Sequence, residues 1–276
     1  MKKIAFLIVV LTLVSLGELC SQNTKTRSVT LNAGAGNLMR QDLSFSPFVH
    51  KDWSPINASA TYAVSGKLNH RFHVSFGLYD PINGESFNYT SFYAEGEQSI
   101  YPHSFAVVDL NYSLSKTLVD KEKMNLALGG RFRNRLNPSA YNFSGYGLFG
   151  YYFTQGVDVW LNVQYDLTNK HHFEGNVYLP VGSWNSRSPY MSMDDEHFEN
   201  FSSHKGLKVF ASYIQDGELQ SWGKAQAVDL DLAYFYRLSE KFDIGMAYKL
   251  SMNFNQDPQR YSSVENVFFI SGKFKF

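Results

Sequence analysis

Two neighbouring segments near the C-terminal end alternate strictly between apolar and polar side chains, and this alternation constrains the fold more than any other feature. In residues 228–238 the apolar face carries Val228, Leu230, Leu232, Tyr234, Tyr236 and Leu238. In residues 242–254 it carries Phe242, Ile244, Met246, Tyr248, Leu250, Met252 and Phe254. A period of two residues is typical of a β-strand. The short polar connection at 239–241 predicts that the two strands form a β-hairpin.

The same alternation recurs along the chain, and most of its segments are long. Strands of soluble proteins usually have about 5–6 residues, whereas strands that cross a membrane need about 9–11. Further alternating segments lie at 28–37, 55–66, 72–78, 108–114, 124–132, 157–167, 173–181 and 268–276. The sequence therefore predicts an all-β fold of about ten antiparallel strands, within a range of about 8–12. Twelve strands would require 140–153 and 206–214 to join the wall.

The connections between these segments alternate in length. Short links are expected at 67–70, 115–122, 168–171 and 239–241, and long ones at 39–54, 80–102, 134–156, 184–224 and 255–262. This arrangement predicts a transmembrane antiparallel up-and-down β-barrel with short periplasmic turns and long extracellular loops. An exported soluble β-sandwich is the alternative, because its strands also alternate between apolar and polar faces.

The first residues have the pattern of a secretory signal peptide. Two lysines precede an apolar run from Ile4 to Gly17 that is too short to span a bilayer, and small or polar residues follow it. We predict a signal peptide at 1–21 and a single barrel domain at 22–276. Lipid attachment at Cys20 is the less favoured alternative, because Leu19 is not the small residue expected before a lipidated cysteine.

The C-terminal segment FFISGKFKF, residues 268–276, also alternates and places Phe274 and Phe276 on one face. Together with the signal peptide, this ending resembles that of Gram-negative outer-membrane β-barrel proteins. The resemblance implies a location in the cell outer membrane, in contact with lipid and lipopolysaccharide. It also implies that Phe274 and Phe276 form the insertion signal read by the barrel-assembly machinery. It identifies no functional family within that class.

In a barrel of this kind the polar face of each strand lines the lumen. The charged residues on these faces that form the candidate site are Arg131, Arg133, Arg135, Asp158, Glu174, Asp229, Asp231, Asp243 and Lys249. One interpretation is a polar conduit or ligand cradle in which the three arginines bind an anion. The other is a network of ion pairs that crosses the lumen and plugs it. We favour the network, because buried charges need partners.

For function, the sequence favours a non-enzymatic structural or binding barrel, or a narrow passive channel with a charged lumen, and it indicates no cofactor. A lipid- or lipopolysaccharide-modifying hydrolase is an alternative. Its candidate pair is His103 and Ser104, but neighbours on a strand face apart. A barrel subunit that binds another envelope protein through its loops is a further alternative. The formal net charge of zero gives no electrostatic indication of a nucleic-acid partner.

One acidic stretch, residues 191–200, contains oxygen ligands of the kind that Ca²⁺ prefers. The candidates are Asp194, Asp195, Glu196 and Glu199. Their spacing matches no EF-hand loop, so a solvated acidic loop is the favoured interpretation.

Overall fold

A computed structural model of the chain describes residues 26–81, 88–90, 96–99, 102–143, 146–189, 195, 199, 202 and 206–276. Ten long strands form its wall: β1 Thr26–Asp42, β2 His50–Ser65, β3 Asn69–Tyr79, β6 Ser104–Lys121, β7 Met124–Phe143, β8 Tyr146–Asp166, β9 His171–Arg187, β11 Ala225–Arg237, β12 Phe242–Asn255 and β13 Tyr261–Lys275. The smaller elements are β4 Asn88–Thr90, β5 Glu97–Ser99, helix α1 Gly206–Gln215 and β10 Glu218–Gln220. The predicted signal peptide, residues 1–21, lies outside the described residues.

The ten long strands form a closed antiparallel ring in the order β9, β11, β12, β13, β1, β2, β3, β6, β7, β8 and back to β9. The first and last strands close the ring, with Ala33 opposite Ile270 in a continuous register. At its end, the Arg27 amide donates to the Phe276 carbonyl and the Phe276 amide donates to the Arg27 carbonyl. The predicted ten-stranded up-and-down barrel is therefore confirmed. The β-sandwich alternative is wrong, because a ring without open edges replaces two packed sheets.

The two faces of the wall have opposite polarity. The outer face exposes apolar side chains such as Ile270, which is 71% exposed, and Met246, which is 65% exposed. Most of the buried side chains are polar or charged, including Arg133, Asp109 and Asp158. A soluble domain buries apolar groups and keeps such charges in water. The reversed polarity is that of a transmembrane barrel of the outer-membrane type, whose apolar belt contacts acyl chains.

On the short-turn side the predicted links at 67–70, 168–171 and 239–241 agree with the observed turns, whereas the predicted link at 115–122 is mainly strand, because β6 continues to Lys121. The opposite side differs from the predicted long loops. The segment 134–156, predicted as a long connection, is mainly strand, because β7 continues to Phe143 and β8 begins at Tyr146. Residues 140–153 therefore extend two wall strands rather than adding new ones. Above the apolar belt the outer face also carries polar groups. The Gln155 amide donates to Asn134 Oδ1 there at 2.9 Å, and this weakens the alternation in the sequence.

Residues 206–214, which a twelve-stranded wall would need, form most of α1 instead. This helix packs against the outside of the upper β8–β9 hairpin, where the rings of Tyr151 and Tyr213 stack with centroids 4.4 Å apart. The indole Nε1 of Trp184 donates to the Ile214 carbonyl at 2.7 Å, and the Ser186 hydroxyl donates to the Tyr213 carbonyl. Among the described residues, no helix is both long enough and apolar enough to cross a membrane.

Candidate functional site

A layer of ion pairs fills the middle of the barrel, and the arginine row of β7 is its core. Arg131 Nε donates to Asp158 Oδ2 on the neighbouring strand β8 at 2.7 Å. The same guanidinium also contacts Asp229 on β11, two strands beyond β8. Arg135 donates to Asp109 on β6 and lies 3.4 Å from Asp229 Oδ1. Asp229 therefore joins two arginines from across the lumen.

The layer continues to the opposite wall through Lys249 on β12. Its Nζ lies 2.8 Å from Asp109 Oδ2 and 3.2 Å from Glu265 Oε2. β6 and β12 are five positions apart in the ring of ten strands, so the contact between Lys249 and Asp109 joins diametrically opposite walls. The Tyr79 hydroxyl on β3 donates to Glu265 Oε1 at 3.0 Å and extends the layer further. The contacts thus reach most of the circumference.

Within this layer the formal charges balance and the cavity between the side chains is small. The four cations Arg131, Arg133, Arg135 and Lys249 face the four carboxylates Asp109, Asp158, Asp229 and Glu265, so the formal charges cancel. The cavity that borders Arg131, Arg135 and Asp229 has a volume of about 10 Å³. That is about the space that one water molecule needs. This cavity is therefore too small for a hydrated ion.

The remaining candidate residues lie nearer the periplasmic end, where they form looser contacts. Glu174 lies 3.3 Å from Lys273 and 4.0 Å from Arg71, and Arg71 lies 3.8 Å from Asp231. Asp243 pairs with Lys275. A cavity of about 70 Å³ lies among these groups and small residues of β1 and β2. The nine candidate residues are therefore distributed over two levels of the interior rather than forming one site.

Sequence reasoning missed Arg40, which lies in the upper interior and is 1% exposed. Its guanidinium lies over the rings of Phe105 at 4.8 Å and Tyr261 at 5.9 Å, and its Nη2 is 3.5 Å from Asn137 Oδ1. Within the described part of the chain, no carboxylate forms an ion pair with it. The alternation of inward and outward residues could have identified it. Every second residue of β1 points inward, and Arg40 continues this series beyond the predicted limit at residue 37.

An aromatic cluster lies in the upper interior of the barrel. The ring of His50 contacts His103 with centroids 4.6 Å apart, and it also contacts Phe105 and Tyr141. His103 accepts a hydrogen bond from the Asn142 amide at 2.9 Å and is buried. Ser104, its partner in the hydrolase hypothesis, is exposed on the other face of β6. This geometry keeps the two side chains apart, so it provides no nucleophile and base.

Acidification is expected to destabilise this cluster. Burial, followed by the nearby His103 and Arg40, lowers the pKa of His50 from 6.5 to about 4. Below pH 6.5 the unfolded chain binds a proton that His50 in the folded barrel does not bind until about pH 4, so the free energy of unfolding falls as the pH is lowered through that window. Urea unfolding in phospholipid vesicles between pH 4 and 7.5 measures this loss.

The control for the pH experiment is a comparison of two histidine variants. His50→Phe is expected to reduce the loss of stability between pH 6.5 and 4, because one titrating ring is gone while an aromatic side chain remains. His70→Phe is expected to keep the wild-type slope, since His70 lies far from the cluster and is hydrogen-bonded to Tyr112 at 2.8 Å. Equal slopes in wild type and His50→Phe would contradict the assignment.

Two other predictions concern the ends and loops. Phe274 and Phe276 lie on the outer face and are 47% and 64% exposed, with the Phe274 ring 4.7 Å from that of Phe242. Their role as an insertion signal stays a prediction. Of the calcium candidates, Asp195 and Glu199 are exposed, and Asp194 and Glu196 lie outside the described residues. The calcium site also stays a prediction.

A cleft opens at the extracellular rim beside β10. Its volume is about 540 Å³. The lining side chains include two amides, three acids and two bases: Asn185, Gln220, Asp216, Glu218, Asp257, Arg187 and Lys224. Sequence reasoning placed this region in the 184–224 and 255–262 loops and assigned no site to the residues that line the cleft.

Comparison with known proteins identifies the fold and leaves the function open. No family model and no curated protein matches the chain. Among solved structures, the outer-membrane protease OmpT from Escherichia coli matches with a TM-score of 0.53 at 8% identity, covering 94% of this chain and 99% of that one. The β domain of the Bordetella autotransporter BrkA matches with a TM-score of 0.37 at 11% identity, covering 91% and 99%. Neisserial surface protein A matches with a TM-score of 0.36 at 9% identity, covering 91% and 97%.

Proposed function

We propose that this chain is a non-enzymatic outer-membrane barrel with a closed lumen, which acts as a structural or binding protein at the cell surface. The observation that carries this proposal is the central layer, in which Asp109 and Lys249 join opposite walls at 2.8 Å. Buried ion pairs that join strands across the lumen favour one fixed arrangement over an open pore. Because the charges of the layer cancel, it also lacks the net charge that would attract a permeating ion.

A narrow passive channel is the competing function, and conductance in planar lipid bilayers separates the two. The purified wild-type barrel is expected to show no discrete current steps after insertion, since the cavity beside the central ion pairs has a volume of only about 10 Å³. The double variant Asp109→Ala/Lys249→Ala removes both ends of the contact across the lumen without changing the net charge. It is expected to give small, short-lived current steps.

The double variant serves as the control that inserted barrels are being observed. Ohmic steps from the wild-type protein, at a frequency that scales with protein concentration, would overturn the closed-lumen proposal. Absence of current steps from both proteins, with folded barrels verified in the same membranes by protease protection, would agree with the wild-type expectation. It would also show that the layer has further obstructions.

The binding role extends the proposal to partners. The extracellular strands project beyond the belt and carry polar clefts and aromatic rings, which are the features that recognise other molecules. We propose that the barrel contacts outer-membrane lipid and lipopolysaccharide through its wall, and another envelope protein through its extracellular rim. The barrel-assembly machinery is the proposed partner during insertion.

A further inference from the structure

The cleft at the extracellular rim arises from a gap in the wall. β9 continues up to Arg187, but its neighbour β11 begins only at Ala225 and pairs with β9 no higher than Tyr178. The upper part of β9 is covered instead by the three residues of β10, which pair with Ser183, Trp184 and Asn185. Within the described residues, the backbone of β10 is hydrogen-bonded to β9 alone. The Gln220 side chain connects β10 to the start of the β12–β13 turn, where it accepts a hydrogen bond from Asn255 Nδ2 at 2.7 Å.

An unpaired strand edge is a template for another extended chain, because its amides and carbonyls are already aligned. Here the edge borders a cleft of about 540 Å³, with Asp257 and Pro258 of the β12–β13 turn among its lining residues. That volume lies within the range of about 300–1,000 Å³ that is typical of ligand clefts. The gap therefore offers both the backbone groups and the space for one short strand.

The side chains of the cleft give it an acidic character. Asp216, Glu218 and Asp257 line it, and Lys224 lies between two of them, 2.9 Å from Asp257 and 3.6 Å from Glu218. The other base, Arg187, is already engaged. It pairs with Asp42 at 2.9 Å and donates to the carbonyls of Asp257 and Gln259. Glu218 and Asp257 thus share one cation, Lys224, so these three side chains together carry a net negative charge.

The outer flank of β10 is apolar. Leu219 is 78% exposed, and Trp222 in the following turn is 45% exposed. Successive side chains of a strand point to opposite faces, so an added strand would turn every second side chain towards the acidic cleft and the others towards this apolar flank. A segment that alternates basic and apolar residues fits both surfaces.

We propose that the rim cleft binds a short, extended peptide segment of alternating basic and apolar residues, which adds as a strand to the free edge of β10. The proposal rests on the binding role proposed above and names its site and its partner class. Backbone hydrogen bonds supply the pairing, and Glu218 and Asp257 select basic side chains.

The test uses the fluorescently labelled peptide acetyl-Lys-Val-Lys-Val-Lys-Val-amide and the purified barrel in a non-ionic detergent, with anisotropy as the readout. The peptide is expected to bind saturably, whereas the same peptide with glutamate in place of lysine is not. The double variant Glu218→Gln/Asp257→Asn is expected to weaken binding about tenfold. Asp80→Asn is the matched control, since Asp80 is an exposed acid at the extracellular end of β3, on the opposite side of the barrel.

A second peptide separates strand addition from simple charge attraction. N-methylation of all six residues keeps the charges and removes every amide that an added strand could donate, and it is expected to weaken binding at least about tenfold. Equal binding of the methylated and unmethylated peptides would overturn strand addition. Absence of binding by the lysine peptide would overturn the whole inference, and it would leave the conductance result for the closed lumen unaffected.

Discussion

Replacing Asp229 with alanine is expected to lower the free energy of unfolding by about 3–5 kcal/mol, the cost of removing one partner from a buried ion network. Asp229 is 2% exposed, contacts both Arg131 and Arg135, and accepts a hydrogen bond from Ser251 at 2.6 Å. Without its carboxylate, each of the two buried guanidiniums keeps only one acid that it contacts. Urea unfolding of the barrel in phospholipid vesicles, followed by tryptophan fluorescence, measures the change.

The matched control for this experiment is Asp166→Ala. Asp166 also contacts a basic side chain, His172, at 2.7 Å, but its own side chain is 49% exposed next to the periplasmic turn after β8. Exposed pairs contribute about 0–1 kcal/mol, so a loss within that range is expected. If Asp229→Ala changed stability as little as Asp166→Ala, the central layer would not hold the barrel together.

A compensating substitution tests whether the layer acts as a unit. In the Asp229→Ala background, Arg131→Met removes one of the guanidiniums left in excess and keeps a long apolar side chain in its place. Part of the lost stability should return, because removing both partners of a buried pair costs less than removing one. Neighbours within one network are not additive, and the size of the recovery gives their coupling.

The barrel could be predicted from the sequence because a bilayer imposes a simple pattern on each strand. The closed ring satisfies the backbone hydrogen bonds in the bilayer. One face of each strand contacts acyl chains and is apolar, whereas the other faces the lumen and is polar, so apolar residues recur with a period of two. The segment 242–254, whose apolar face is unbroken, coincides with β12, Phe242–Asn255, except at the final residue. The same parity is enough to assign Asp229 and Lys249 to the inner face.

The alternation along a strand shows whether a residue points inward or outward. It does not show the position of the residue along the barrel axis or which residue it contacts. The contact between Lys249 and Asp109 depends on the tilt and register of strands that are 140 residues apart in sequence. For the same reason, the sequence could not divide the candidate residues into the tight central layer and the looser group around Glu174. Partners on opposite walls become visible only once the ring is closed.

The extracellular part was predicted least well, because the physical signal ends where the lipid does. Beyond the apolar belt, both faces of a strand lie in polar surroundings, so the alternation disappears. Strand residues such as Asn134 and Ser186 were therefore predicted to lie in loops. The helix α1 was placed among possible strands because it is short and packs on the outside of the wall. The rim cleft depends on the early end of pairing between β9 and β11, which no local pattern records.

A second large effect is expected from a single methyl group at Gly129, where β6 and β7 approach each other closely. A Cβ at this position would lie 2.0 Å from the Leu114 carbonyl oxygen and 2.5 Å from Ser115 Cα. Both are backbone atoms of β6 and cannot turn aside as a flexible side chain would. Gly129→Ala is therefore expected to lower the free energy of unfolding by about 3 kcal/mol or more, at the upper end of the cost of overpacking. The yield of folded barrel in vesicles, measured by its heat-modifiable electrophoretic mobility, should fall with it.

The adjacent glycine provides the control, because it lies on the other face of the same strand. A Cβ at Gly130 would have the Asp158 carbonyl oxygen as its nearest neighbour at 3.7 Å, an ordinary van der Waals contact. Gly130→Ala should stay within about 0.5 kcal/mol of wild type, as substitutions without a steric or polar conflict do. Equal tolerance of alanine at both positions would mean that the two strands can separate at Gly129. In that case the register between β6 and β7, which aligns Arg135 with Asp109, would not depend on this close approach.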